Sequence, residues 1–413
     1  MPHRFNRLAA SLALAACANL AHAAGFALVE QNASGLGNAY AGQAAAATDA
    51  STLFFNPAGM TYLPDRQVVV AGHLIKPQAK FSGTVTPAIG DGNGGDAGGL
   101  ALVPNAYFVY RLTPDVYLGV GLNAPFGLKT EYDATWKGRT QAVKSEVKTV
   151  NLNPSIAWKA SESLSLGAGV SFQYAEATLS NSANGAGLAT VKGDDSGWGY
   201  NLGALWQLGE ATRIGLAYRS EVEHTLKGDV AFSVATLLNG GVSATTTLPD
   251  SASLSLFHKL SPKWDLLADV TWTGWSDFKE LRIVRNSGVD LALTPENWRD
   301  SYRYSVGANY HLNDRMTLRG GLAFDETPVS DAFRTARIPD EDRTWVAFGA
   351  RYRLSDRTVL DLGYAHLFVK DARINKTEDS YFPPQPNPPT PVTLSGTYKA
   401  SVDILSAQLT LNF

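Results

Sequence analysis

The residues able to do metal or nucleophilic chemistry are few in this chain, and they are scattered. Of seven histidines, five lie beyond the first two dozen residues, at His73, His224, His258, His311 and His366, and they form no metal-like cluster in sequence. His258 and His311 fall in short turn motifs, where a solvated side chain is expected. A Ser-His-Asp site is defined in space rather than by sequence order, yet no motif supports one, and enzymatic activity is not expected. Gly35, Gly37 and Gly42 are not spaced as GxGxxG and follow no strand, which argues against a phosphate loop. No cofactor motif is present. With 35 Lys+Arg against 38 Asp+Glu, the formal charge of −3 lacks the basic excess of a nucleic-acid binder. What remains is the chemistry of binding: a set of arginines at regular strand positions, and the motif Asn56-Pro57-Ala58, whose proline fixes one φ and lacks a donor.

The elements that position these residues begin with a targeting segment. Arg4 and Arg7 form a positive n-region, Leu8 to Leu20 a short apolar stretch, and Ala21-His22-Ala23 an A-x-A cleavage site. Cleavage there leaves 413 − 23 = 390 residues and a charge of 33 − 38 = −5. The only cysteine, Cys17, lies inside the segment, so the mature chain has no disulfide and no thiolate site. Leu14-Ala15-Ala16-Cys17 also reads as a lipoprotein box, which would make a lipidated Cys17 the first residue; the mass of the mature N-terminus separates the two. Beyond this segment no apolar run reaches about 18 residues, which excludes a helical membrane protein.

From about residue 66 the chain alternates apolar and polar residues in long runs, the period of a half-buried strand. Leu164, Leu166, Ala168, Val170 and Phe172 form one such face, and Val346, Phe348, Ala350, Tyr352 and Leu354 another. Six similar short turns, beginning near residues 110, 158, 206, 258, 310 and 352, recur every 42 to 52 residues. Longer segments with Gly-, Pro- and Asn-rich middles, at 84–99, 181–196, 236–246, 286–297, 330–342 and 376–396, are expected to be loops. Short turns on one side and long loops on the other is the layout of an outer-membrane barrel. Six turns join twelve strands; a first strand after residue 66 and a last at 397–413 make fourteen antiparallel transmembrane strands, with the barrel at 66–413. A soluble all-β protein would need a second layer over each apolar face. Tyr or Trp precedes five of the six turns on the apolar phase, an aromatic girdle. The alternating end, Leu405 to Phe413, resembles the signal read by the outer-membrane assembly machinery.

Residues 24–65 do not alternate. They are small and apolar with few charges, are expected to form short helices, and are too few to make a domain with its own core. The simplest place for them is inside the barrel, as a hatch. The start Ala24-Gly25-Phe26, the run Ser34-Gly35-Leu36-Gly37 with Ala39-Tyr40 and Gly42, the closing Asn56-Pro57-Ala58, and Asp361-Leu362-Gly363-Tyr364-Ala365-His366-Leu367-Phe368 resemble the FadL family of outer-membrane hydrophobic-compound transporters. The resemblance implies a fourteen-stranded barrel closed by an N-terminal hatch that carries the Asn-Pro-Ala motif. It also implies a kink in the third strand through which ligand leaves sideways into the membrane, and a long-chain fatty acid or an aromatic hydrocarbon as ligand. The third strand supplies a site for such a kink. Tyr117 to Leu122 alternates cleanly and runs into Asn123-Ala124-Pro125-Phe126-Gly127. A proline removes a ladder donor, and a closed barrel has no edge to receive it. Gly121, Asn123, Pro125, Phe126 and Gly127 should therefore mark a local break, with the hatch, and Asn56 in particular, satisfying its backbone; the alternative is that Pro125 merely ends the strand on the outer side before a loop at 130–145.

Two function classes remain, a hydrophobic-ligand transporter and a general diffusion porin for small polar solutes. A porin needs an open polar channel. A hatch carrying Phe26, Leu28, Val29, Leu36, Phe54, Phe55 and Met60 argues for an apolar pocket. Arg213, Arg219, Asp269, Arg303, Arg319, Arg351 and Asp361 fall on the polar phase and face the lumen. They either brace it as ion pairs, or one or two of them, Arg303, Arg319 or Arg351, meet a ligand carboxylate. The expected partners are a hydrophobic ligand, outer-membrane lipid and lipopolysaccharide, and the assembly machinery through Phe413. No cofactor is expected, and the protein is expected to be a monomer driven only by the ligand gradient.

Overall fold

A computed structural model describes residues 25–183, 185–379 and 391–413. The expected signal segment with Cys17 lies outside the described residues. Fourteen strands form one antiparallel sheet: β1 Arg66–Thr86, β2 Ala101–Arg111, β3 in two pieces Val116–Asn123 and Gly127–Glu131, β4 Lys144–Lys159, β5 Leu164–Ala183 and β6 Gly187–Gln207. Next come β7 Thr212–Arg219 with Val222–Phe232, β8 Gly240–Leu248 with Ser251–Ser261, β9 Trp264–Thr273 with Glu280–Arg285, and β10 Asp290–Pro295 with Ser301–Asn313. The last are β11 Met316–Asp325, β12 Arg343–Arg353, β13 Thr358–Val369 with Ala372–Asp379, and β14 Pro391–Asn412. β14 pairs with β1 from Gln67↔Asn412 to Thr86↔Thr393, which closes the barrel.

The alternation decides the register. Leu166, Val170, Leu254, Val306, Phe348 and Leu405 stand exposed on the outer face, while their sequence neighbours Ser165, Ser171, Ser255, Ser305, Ala347 and Ser406 are buried inside. A slip of one residue would turn the apolar set inward. So broad an exposed apolar band is stable only against lipid, where every backbone group must be paired within the closed sheet. Near the short turns Trp158, Trp206 and Tyr352 are exposed, and Trp264 packs on Tyr310 with ring centroids 4.7 Å apart.

Several expected loops are strand instead. β5 and β6 pair without interruption from Leu164↔Trp206 to Ala183↔Gly187, and 240–246 and 290–295 are strand as well. Beyond the membrane both faces of a hairpin meet water, so polar residues at every position no longer signal a loop.

Residues 25–65 lie inside the barrel. They form the four-residue helices Ala33–Leu36, Gln43–Ala46 and Thr52–Phe55 and a 3₁₀ turn, Pro57–Tyr62. The segment follows the inner wall and approaches it closely at glycines. A Cβ at Gly349 of β12 would lie 2.8 Å from the Cα of Gly37, and one at Gly203 of β6 would overlap the Asn56 side chain.

Candidate functional site

The site is built where β3 breaks. β2 pairs with β1 from Tyr110↔Arg66 to Ala101↔Ile75, but with β3 only from Arg111↔Tyr117 to Ala106↔Leu122. The second piece of β3 pairs with β4 and not with β2. The wall is therefore unstitched between β2 and β3 beyond Leu122, where Pro125 cannot donate and residues 124–126 leave the strand. Residues 26–31, in the expected hatch, supply the missing partners. Leu28 N donates to Pro125 O at 2.8 Å, Gly127 N to Phe26 O at 2.8 Å, and Gln31 Nε2 to Ala124 O at 2.9 Å. From β2, Asn105 Nδ2 donates to Glu30 O and the Tyr107 hydroxyl to Gln31 O. Asn151 Nδ2 donates to Asn123 Oδ1, and Phe126 N donates to Thr149 Oγ1.

Asn56 does not partner this break, contrary to the sequence expectation. Its Nδ2 donates to Ala44 O at 2.7 Å and to Ala204 O of β6 at 3.0 Å, and its Oδ1 accepts from Ala58 N at 3.0 Å. Pro57 takes the first position of the 3₁₀ turn, where its missing N–H costs nothing. Because the hatch runs around the wall, its beginning and its end meet different strands. Gly121 likewise faces Leu53 and Tyr107 rather than the gap.

A cavity of about 150 Å³ opens between the hatch and the wall. Its apolar lining includes Leu28, Val29, Phe54, Phe55, Phe126 and Trp275. The remaining hatch residues expected there lie elsewhere. Phe26 sits among Trp275, Trp298, Phe278 and Phe126, with ring centroids at 4.7, 5.8, 6.0 and 6.1 Å. Leu36 packs in a cluster with Trp345 and Ala347, and Met60 in one with Leu53, Val69 and Tyr107.

The arginines divide in the same way. Arg351 grips Asp361 through Nε and Nη2 at 2.9 and 3.0 Å, Arg319 bonds the same carboxylate, and Arg351 lies 3.5 Å from Asp49 of the hatch. This buried cluster ties the hatch to the wall, and neither arginine lines the cavity. Arg303 does line it, with Nη2 donating to Ala39 O and the guanidinium 5.1 Å from the Trp345 ring. Arg219, placed in the lumen by its phase but not singled out as a carboxylate partner, lines it too. Its Nη2 donates to Phe54 O at 2.9 Å, and its guanidinium lies 4.3 Å over the Phe54 ring. Among the described residues no carboxylate comes within ion-pair distance of Arg219 or Arg303, whereas Asp269 on the same wall accepts from the Ser255 and Thr271 hydroxyls. Glu30 is fully buried in the hatch with neither carboxyl oxygen hydrogen-bonded, and burial pushes its pKa up to about 7.

The five described histidines each hydrogen-bond to nearby side chains. His258 pairs with Thr212, and His311 with Thr317 and Asp265, so neither turn histidine is simply solvated. Among the described residues no three His, Cys, Asp or Glu side chains converge as metal ligands.

Residues 14–413 match the family described as outer membrane protein transport protein (OMPP1/FadL/TodX). The chain is 31% identical over 409 residues to a long-chain fatty acid transport protein of Salmonella typhi, covering 90% of this chain and 94% of that one. It is 33% identical over 429 residues to outer membrane protein P1 of Haemophilus influenzae, covering 91% and 92%. The fold is similar to the crystal structure of a Pseudomonas aeruginosa FadL homologue, with a TM-score of 0.87, 26% identity, and 94% and 100% of the two chains covered. The toluene transporter TodX of P. putida shares the fold with a TM-score of 0.67 at 20% identity, over 89% and 94%. This chain is a fourteen-stranded outer-membrane barrel and belongs to the OMPP1/FadL/TodX family of outer membrane transport proteins.

Proposed function

We propose that this protein passes long-chain fatty acids passively across the outer membrane, with residues 25–65 as a hatch and the break in β3 as a sideways exit. The observation that carries the ligand is the composition of the cavity. One side is apolar and aromatic, and the other presents Arg219 and Arg303 beside Asp269 and Asp325, with neither arginine in an ion pair among the described residues. An amphiphile with a carboxylate head and a hydrocarbon tail fits both halves; an aromatic hydrocarbon uses only the first. A charge-assisted hydrogen bond to either guanidinium fixes the head while the tail lies against Leu28, Val29 and Phe55. The ligand leaves chemically unchanged. Its gradient drives the movement.

The stitching supports the sideways exit. Phe26–Leu28 and Gln31 close the seam between β2 and β3, so displacing them opens a path from the cavity into the bilayer. An apolar ligand then never crosses the periplasmic water layer. A diffusion porin is disfavoured because the hatch fills the lumen that polar solutes would need. Phe413, exposed and bonded through its N–H to Arg66 O, serves in this reading as the mark for assembly.

The test is binding by the purified protein of a long-chain fatty acid, its methyl ester and toluene. The acid should bind most tightly, and Arg303→Met or Arg219→Met should weaken the acid by about tenfold while leaving the ester unchanged. Equal affinity for acid and ester, insensitive to both substitutions, would refute the carboxylate role. Tighter binding of toluene would point to the aromatic class instead.

A further inference from the structure

The outer face of the barrel carries charge unevenly. Where lysines stand on it beside β4, β5 and β12, carboxylates accompany them: Lys144 and Lys148 share Glu146, Lys192 meets Glu176, and Lys370 meets Asp342. The seam of β13, β14 and β1 differs. Lys76 and Lys80 of β1, Lys399 of β14 and Arg373 of β13 are all exposed on the outward phase. Lys80 stands directly opposite Lys399 in the β1–β14 register, and Arg373 opposite Thr397, one outward position further along. Like charges directly opposite on one face of a sheet destabilise it.

The neighbouring acidic groups offset this charge only at Lys76, which stands opposite Asp403. Asp96 is turned to the backbone N–H groups of Ala79 and Gly98, and Asp403, opposite Lys76, accepts from the Tyr364 hydroxyl and from His366 Nδ1. Neither these nor Asp371 form an ion pair with the four cations among the described residues.

Height decides what would meet these cations. On β1 the outward residues below them are Val70 and Leu74, and on β14 Leu405 and Leu409; Tyr364 and Phe368 of β13 complete an exposed apolar surface. About ten residues of tilted strand cross the hydrocarbon. Counted from the barrel's turn end at Arg66 and Phe413, that distance brings β1 to Lys76 and β14 to Asp403. The cations therefore begin where the acyl chains of the outer leaflet end.

We propose that this seam is a binding site for a phosphorylated glycolipid of the outer leaflet, the lipid A portion of lipopolysaccharide. Its phosphates bridge Lys80 and Lys399 and reach Lys76 and Arg373. Its acyl chains lie over Leu74, Leu405 and Phe368. A multivalent anion turns the Lys80–Lys399 repulsion into attraction, which a zwitterionic phospholipid cannot do.

The experiment uses the full barrel extracted in mild detergent. Co-purified glycolipid is measured as its amount per barrel, and the melting temperature is followed on adding diphosphorylated lipid A, dephosphorylated lipid A, phosphatidylglycerol or inorganic pyrophosphate. Wild-type protein should retain glycolipid and be stabilised by diphosphorylated lipid A alone. Each of Lys76→Gln, Lys80→Gln and Lys399→Gln should weaken that binding about fivefold, and more weakly so in high salt. The triple variant should still show the gel shift of a folded barrel, which separates loss of the site from loss of the fold. Equal stabilisation by dephosphorylated lipid A or phosphatidylglycerol, equal retention by the triple variant, or a response to pyrophosphate as large as to lipid A would each overturn the assignment.

Discussion

If the ligand leaves through the seam, pinning Phe26–Leu28 to β3 must stop transport without stopping binding. Ala27 and Phe126 form an isolated antiparallel bridge, flanked by the Leu28–Pro125 and Gly127–Phe26 hydrogen bonds. That makes them a non-hydrogen-bonded pair, whose Cα atoms lie about 4.5 Å apart, within disulfide range. Opening the native seam breaks three hydrogen bonds at about 1 kcal/mol each and withdraws Phe26 from its four rings for about 2–3 kcal/mol. The sum is on the order of 5 kcal/mol, so roughly one molecule in 5,000 is open without ligand, and ligand binding must offset that cost. An Ala27→Cys, Phe126→Cys pair adds a covalent bond that no ligand offsets. The chain's only native cysteine is Cys17, in the expected signal segment, so no other thiol competes. Fatty-acid uptake would be measured in a host lacking its own transporter, under oxidising and reducing conditions, with each single-cysteine variant as reference. Oxidation should drop uptake to the level of the empty host, reduction should restore it, and the purified oxidised protein should still bind ligand. Undiminished uptake by fully cross-linked protein would refute the seam as the exit.

Other substitutions test how the hatch is held. Asn56→Ala removes donations to Ala44 O and Ala204 O and the cap on Ala58 N, and should lower stability by about 2–4 kcal/mol in denaturant titrations; Asn56→Asp keeps the cap and should recover only part. Asp361→Asn leaves the Arg319 and Arg351 guanidiniums together without their shared anion, a loss of about 3–5 kcal/mol that a further Arg351→Met should partly restore. Glu30 has a folded pKa of about 7 against 4.5, so its proton is favoured by the fold. Its contribution is fully present below about pH 4.5, is lost as pH rises to about 7, and is constant above. The span is about 3 kcal/mol, read as faster hydrogen exchange across residues 25–36, and Glu30→Gln should flatten it.

The barrel was legible because lipid imposes a rule on every strand. Alternation, six recurring turns and an outward Tyr or Trp before most of them place all fourteen strands. Pro125 pointed to the break in β3, but Pro77, Pro104 and Pro154 sit inside unbroken strands, so a missing donor alone does not mark a break. The interruptions at 220–221, 249–250, 274–279 and 296–300 in β7 to β10 were not legible. They fall where strands pass out of the bilayer, and there neither lipid nor a missing donor constrains the pattern. The arginines show the limit of phase alone. Arg219, Arg303, Arg319 and Arg351 share one phase, yet Asp361 takes two of them: Arg351 stands opposite it in register, while Arg319 reaches it from two strands away, past Gly349.

The path of the hatch is a different case, because its signal lies in the wall rather than in the hatch. A lumen that carries water has polar side chains on its inward phase. Here Gly167, Gly203, Gly321 and Gly349 interrupt that phase, each three to five residues from the turn-side end of its strand. A side chain at these positions would strike Ala58, Asn56, Asn38 and Gly37 in turn. Glycine inside a strand costs stability and is expected where another backbone comes close. Glycines at similar height on strands all around a barrel therefore trace a second chain pressed against the inner wall. The hatch residues are small for the matching reason, since Ala and Gly allow backbone to meet backbone. Asn38 and Asn56 donate to the wall carbonyls of Ala308 and Ala204, while Asn32 bonds Gln43 and Ser51 within the segment. Only the beginning of the segment, where Phe26, Leu28 and Gln31 meet β3, faces a gap instead of a continuous sheet. There the wall supplies too few partners of its own, and the segment's backbone and Gln31 supply them.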